Sequence, residues 1–150
     1  MNKKLTIALV AHDQRKADMV EWALFNAETL SQHTLVCTGT TGGLIKKAFH
    51  ERGIEADIVC MNSGPWGGDA EIATMVVRHE INLAIFLIDD LNPQPHEADI
   101  QMLLRQCRIH NVPIACNRYS ADLMITSSLW DNDSYVPTKP RYVKFNREQD

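Results

Sequence analysis

The chain has 150 residues, 45% of them hydrophobic and 23% charged, with a formal net charge of −4, which suits a single globular domain able to bury its own core. The acidic balance, with no basic stripe interleaved with aromatics, argues against a nucleic-acid partner. No apolar run nears the ~20 residues of a membrane span, and Met1-Asn2-Lys3-Lys4 leads into a strand pattern rather than a signal peptide, so no membrane partner is expected.

In chain order, "LTIALVA" (5–11) is a nearly continuous apolar run, as expected of a strand covered on both faces. Val20, Leu24, Ala27 and Leu30 then recur at helical spacing, with Asp13 as the candidate cap. "TLVCT" (34–38) is a second strand, and "LIKKAFHER" (44–52) a short helix that stops at Gly53. "ADIVCM" (56–61) is the third strand, after which Ile72, Met75, Val76 and His79 mark a helix face. "LAIFLI" (83–88) is the fourth strand, Ile100, Leu103, Leu104 and Cys107 form a clean helical stripe, and "VPIAC" (112–116) is the fifth strand. Residues 121–125 open a further helix, and the tail from about 132, with Pro137, Pro140 and several aromatics, reads as a wrapping segment. Strands alternating with helices predict an α/β fold, a doubly wound parallel sheet of about five strands with helices on both faces.

In such sheets a ligand lies beyond the carboxyl ends of the strands. Here every strand is followed by a polar segment: "HDQRK" (12–16), "TGTTGG" (38–43), "SGPWGGD" (63–69), "DDLNPQPHEAD" (89–99) and "NRYSAD" (117–122). Right-handed crossovers place all five on one rim. "TGTTGG" offers backbone amides, hydroxyls and a following helix N-terminus to an anion, with Lys16 as a nearby charge, although a Thr/Gly turn also serves simply as a helix cap. The spacings of a P-loop and of a dinucleotide fingerprint are absent.

"SGPWGGD" spends three glycines and a proline to deliver one carboxylate, Asp69, either a helix cap or a general base. An ordinary aspartate, with a pKa near ~3.9, is a weak base, so the second role needs burial or a neighbouring carboxylate: Asp13, Asp89, Asp90 or Asp99. His96 and Asp99, three residues apart, form a candidate imidazole–carboxylate pair. His12, Asp13, Asp69, Asp89, His96 and Asp99 contain the donors for a metal site, but no HExxH-like spacing supports one. The four cysteines (Cys37, Cys60, Cys107 and Cys116) form no CxxC pair, which favours a reducing cytoplasm over a disulfide framework or structural zinc. Cys37, Cys60 and Cys116 fit buried strand positions rather than a nucleophile's.

In this order, "VAHD..K", "TGTTG", "SGPWGGD" and "DxLNPQPHEAD" resemble the methylglyoxal synthase family across most of the chain. The resemblance implies a lyase that converts dihydroxyacetone phosphate to methylglyoxal and phosphate, without metal or organic cofactor, as a cytoplasmic homohexamer, with inorganic phosphate as product and regulator. It implies that Lys16, Thr38, Gly39, Thr40, Thr41, Ser63 and Gly64 hold the substrate phosphate. Asp69 would be the base, His96 would polarise the carbonyl with Asp99 as its partner, and His12, Asp13 and Asp89 would complete the polar wall. A non-catalytic anion-sensing module of the same fold is the alternative, but it has no use for Asp69 together with His96 and Asp99. Four features depart from the family: Asp90 where proline is common, Trp66 where an aliphatic residue or methionine is usual, Ala70-Glu71 in place of a glutamine-rich helix start, and a tail beyond Asn132 in which Arg141 and Arg147 both compete for the family's C-terminal arginine.

Overall fold

The computed structural model describes residues 2–138. Five strands, β1 (Thr6–Ala11), β2 (Thr34–Cys37), β3 (Asp57–Cys60), β4 (Leu83–Leu87) and β5 (Ile114–Ala115), form one sheet in the order β3-β2-β1-β4-β5. Every pairing is parallel, with Ile7 level with Leu35 on one side and with Leu83 on the other. The helices are α1 (Lys16–Phe25), α2 (Ala27–Leu30), α3 (Gly39–Glu51), α4 (Gly68–Val77), α5 (Glu97–Ile109) and α6 (Arg118–Ile125).

Alternation along the strands builds two cores from one sheet. Ile7, Leu9, Leu35, Cys37, Ile85 and Leu87 point to one face, where they meet Met19 and Trp22 of α1 and Ile45 and Phe49 of α3. Ala8, Val10, Val36, Ala84 and Phe86 point to the other face, against Ile72 and Val76 of α4 and Ile100, Leu103 and Cys107 of α5. The chain after β1 therefore turns to one face and the chain after β4 to the other. Adjacent strands whose connections diverge in this way leave a crevice between their carboxyl ends. That crevice holds the site described below.

Several local expectations change. Helix α3 begins at Gly39, so "TGTTGG" is the first turn of a helix and not a loop before one; its stop at Gly53, with φ 66°, is as expected. Asp13 belongs to a 3-10 turn, and Arg15 occupies the N-cap of α1. Met19, Trp22 and Ala23 are the buried residues of α1, while Val20 and Leu24 flank them. The Trp22 indole N–H is satisfied by Asp122 Oδ1 at 2.9 Å, which ties α1 to α6 and removes the cost of burying the donor. His79 lies beyond α4, exposed, with φ 60°. β3 is a largely exposed edge strand, so Cys60 is exposed, as is Cys116 beyond β5. Only part of "VPIAC" pairs as β5, and α6 starts at Arg118 because the Asn117 side chain accepts the Ser120 N–H as a cap. Asn2 bridges Asn132 and the Lys3 N–H donates to Asp131 O, so the start of the tail closes on the chain's beginning. Arg141 and Arg147 lie outside the described residues.

Candidate active site

A cavity of about 280 Å³ opens at the carboxyl edge of the sheet, walled by residues of the segments after β1, β2, β3 and β4. It falls just below the ~300–1,000 Å³ of drug-sized pockets, and so suits a molecule of a few carbons.

At its floor lies Asp69, at the second position of α4 and 0% exposed. Neither of its carboxylate oxygens has a hydrogen-bond partner among the described residues. Burial pushes its pKa up to about 6 from an ordinary 3.8; the charge of His96 opposes the shift and that of Asp99 adds to it. His96 Nε2 stands 3.4 Å from Asp69 Oδ2. Gly64 fits beneath this pair because it has no side chain: a Cβ there would meet His96 Nε2 at 2.7 Å and Asp69 Oδ1 at 3.3 Å. Gly67, with φ 103°, then turns the chain into α4. A carboxylate that is buried, without a hydrogen bond among the described residues and with its pKa raised to about 6 is poised for proton transfer rather than for structural bonding.

His12 forms the opposite wall. Its Nδ1 accepts the Asp89 N–H at 2.8 Å, so in the neutral ring the proton is on Nε2. Nε2 is buried without a hydrogen-bond partner among the described residues. Burial, followed by the charges of His96 and Lys16, lowers the His12 pKa and keeps the ring neutral. His12 is thereby a fixed N–H donor, packed edge-on to Phe86 and His96.

A wall suited to an anion follows β1 and β2. Thr38 occupies the N-cap position of α3, and Thr38 and Thr40 face the cavity. The Gly39 N–H is taken by Asn62 O and the Gly42 N–H by Thr38 O. The amides of Thr40 and Thr41 fall among the first four of the helix, which have no acceptor within it, and the helix dipole adds positive potential there. Lys16 is the one permanent cation lining the cavity among the described residues. Its ammonium donates to Ala11 O at 2.9 Å and Asp13 Oδ1 at 2.7 Å, and this contact holds the Asp13 carboxyl below its usual range.

Of the residues singled out from sequence, the cavity brings together His12, Asp13, Lys16, Thr38, Thr40, Ser63, Gly64, Asp69 and His96. Four stand back from it. Gly39 packs against the backbone of residues 61–63, and Thr41 is buried with its hydroxyl 3.5 Å from that of Thr38. Asp89 is a brace behind His12: its carboxylate takes Asn92 Nδ2 at 2.6 Å and the Leu91 N–H at 3.1 Å, which lowers its pKa. The expected His96–Asp99 pairing is replaced by His96–Asp69, the only carboxylate within ion-pair distance of His96 among the described residues. Asp99 is the third residue of α5, and its backbone N–H donates to His96 O at 3.0 Å. The i, i+3 spacing is that of a helix's first turn and carries no information about the strand-end crevice. Beside Trp66, five residues not singled out from sequence complete the lining: Val10, Ala11, Pro65, Gln94 and Pro95. They went unnoticed because apolar, proline and glutamine side chains carry no chemical signature in sequence. No group of three or more His, Cys, Asp or Glu suited to holding a metal occurs among the described residues.

The family model described as MGS-like domain matches residues 18–116. The methylglyoxal synthase of Treponema socranskii is 72% identical over 148 residues, spanning 99% of this chain and 94% of that one. The chain belongs to the methylglyoxal synthase family. The methylglyoxal synthase of Pseudoalteromonas atlantica is 40% identical over 137 residues, covering 91% of this chain and 98% of its own. The crystal structure of methylglyoxal synthase from Elizabethkingia anophelis superposes with a TM-score of 0.77 at 37% identity, over 87% of this chain and 83% of that one. These full-length matches support a lyase over a regulatory module of the same fold. Among the described residues no helix is long and apolar enough to cross a membrane.

Proposed function

We propose that the chain converts dihydroxyacetone phosphate to methylglyoxal and inorganic phosphate at this cavity, with Asp69 as the base. The substrate phosphate sits against Lys16, Thr38, Thr40, Ser63 and the start of α3, where hydroxyls, free amides and one ammonium converge. This places the three-carbon body over Asp69 and between His12 and His96. Asp69 takes a proton from the hydroxymethyl carbon next to the carbonyl. The electron pair moves to the carbonyl oxygen, and the N–H of His12 and the ring of His96 stabilise the resulting enediolate. The hydroxyl on the deprotonated carbon then becomes the aldehyde carbonyl and its proton passes to the departing phosphate, while the C=C pair shifts toward the phosphate-bearing carbon and breaks its C–O bond. The released enol takes a proton on its methylene carbon to become the ketoaldehyde. Elimination requires the C–O bond to phosphate to stand out of the carbonyl plane, aligned with the π system, so the α3 cradle decides the product by fixing that torsion.

The observation that carries this reading is the Asp69 carboxylate: fully buried, without a hydrogen bond among the described residues, with its pKa raised to about 6, and 3.4 Å from His96. Sensing an anion needs the cradle but not this group. Turnover of dihydroxyacetone phosphate by EDTA-treated protein, with methylglyoxal and phosphate both measured, tests it. Turnover that appears only after metal is restored would turn the reading toward a metal-assisted hydrolase. Cytoplasmic residence and assembly as a homohexamer belong to the same proposal; the exposed edge strand β3 and the exposed Phe25, Trp66 and Leu91 supply surface for subunit contacts. Sedimentation analysis decides the assembly.

A further inference from the structure

Asn62 follows the last paired residues of β3, and its backbone is gripped from two sides. Its N–H donates to Glu71 Oε1 at 2.9 Å, and its carbonyl accepts the Gly39 N–H at 3.1 Å. Gly68 packs against the same carbonyl so closely that a Cβ there would overlap it. The backbone of one residue thus touches both helix starts that furnish the site: α3, with the anion cradle, and α4, with Asp69. The strand ladder is spent at this point, since β2 ends at Cys37 and the Met61 N–H takes its carbonyl. On an edge strand the next amide needs an acceptor from elsewhere. Glu71 supplies it.

Helical geometry makes the division of labour possible. Asp69 and Glu71 are two residues apart on α4, which sets them about 200° apart around its axis. One carboxylate enters the cavity while the other leans back toward the helix N-terminus and the preceding loop. Glu71 does not line the cavity.

We propose that Glu71 is a positioning residue, whose carboxylate clamps the Asn62 amide and so holds Ser63 and Gly64 in register with both Asp69 and the Thr38–Thr40 cradle. The proposal rests on the reaction given above, and Glu71 acts on it only through the backbone.

Three substitutions separate this from a merely stabilising role. Glu71→Gln keeps an acceptor oxygen at the same reach, Glu71→Asp withdraws it by one methylene, and Glu71→Ala removes it. We measure kcat and KM for dihydroxyacetone phosphate and Kd for inorganic phosphate, well below each melting temperature. Misplacing groups by about 1 Å can cost 100-fold, so Glu71→Ala is expected to lose about 10- to 100-fold in kcat/KM and to bind phosphate more weakly. Glu71→Asp falls in between, and Glu71→Gln stays near wild type. A Glu71→Ala protein that melts lower yet keeps its kcat, KM and phosphate Kd overturns the proposal. So does a Glu71→Gln protein as impaired as Glu71→Ala, because charge and not the clamp would then matter. Should Glu71→Ala not fold, the Asp and Gln variants carry the same comparison. Should the wild type not turn over the substrate, the reaction fails as a reading, and the phosphate titrations still decide the clamp.

Discussion

Two buried histidines, one at each end of the sheet, look alike until their surroundings are compared. His12, beyond the carboxyl end of β1, accepts the Asp89 N–H at Nδ1; His33, just before β2, accepts the Leu5 N–H at Nδ1 at 3.0 Å. Each keeps Nε2 buried and without a hydrogen bond among the described residues, and burial lowers the pKa of both. His33 is packed under Trp130, its Nε2 3.7 Å from the Asp131 carboxylate, where the tail closes on the chain's beginning. His12 instead faces open space shared with Asp69, His96 and Lys16. A buried, shifted imidazole is therefore not a sign of chemistry by itself. Empty volume and converging charge make the difference.

The largest effect that would break this comparison is at Asp69. Asp69→Asn is expected to lower kcat by about 100- to 10,000-fold, the usual worth of a positioned base. The same variant should melt higher than wild type at pH 7.5. Its raised pKa means that Asp69 favours folding fully below its ordinary 3.8 and loses that contribution as pH climbs through about 6, where the buried group must ionise. Assay and calorimetry of one protein give both results; an active or less stable variant refutes the assignment.

The histidines themselves come next. Removing one oxyanion donor typically costs about 100- to 1,000-fold in kcat, and His12→Ala is expected to approach that. His33→Ala should leave kcat and KM unchanged while losing about 1–3 kcal/mol of stability in urea titrations, the cost of orphaning the Leu5 N–H. Equal kinetic losses in the two would erase the distinction drawn here.

A smaller effect appears with pH. The acid limb of kcat/KM should fall below about pH 6, as Asp69 becomes protonated. The stability curve carries the opposite sign from the histidines: with folded pKa values below the ordinary 6.5, His12 and His33 stabilise above that value and lose the contribution as pH falls through their folded values. His33→Gln should flatten the acid fall in melting temperature without moving the kinetic limb. A shift of both together would show that His33 communicates with the site.

The smallest expected signal is optical. Trp66 lines the cavity mouth and is 82% exposed, while Trp22 is 1% and Trp130 7% exposed. Saturating phosphate should therefore alter tryptophan emission through Trp66, and Trp66→Phe should abolish the change. An unchanged spectrum on saturation would place the anion away from the mouth.

Much of the site was legible because its chemistry is local. "VAHD..K", the Thr38–Thr41 run, "SGPWGGD" and His96 each mark a strand end with residue types that have few other uses in those places. What misled was spacing taken as contact: His96 and Asp99 are near in sequence, but His96 finds Asp69 across 27 positions of chain. Asp89 misled in the other direction, since a carboxylate at a strand end also serves to brace its own loop through Asn92 and Leu91. Glu71 was visible only as a departure from the family's pattern, because a side chain bonding a backbone amide leaves no residue-type signature.

The sequence by itself determined the alternation of strands and helices, since apolar runs and helical stripes are properties of neighbouring residues. It also determined the polar character of every strand end and the family. The tertiary structure decided the strand order, the partner of His96, the tautomer of His12 and the raised pKa of Asp69. Each of these depends on which groups from distant segments share a water-poor volume, and that is set by how the two faces of the sheet are covered.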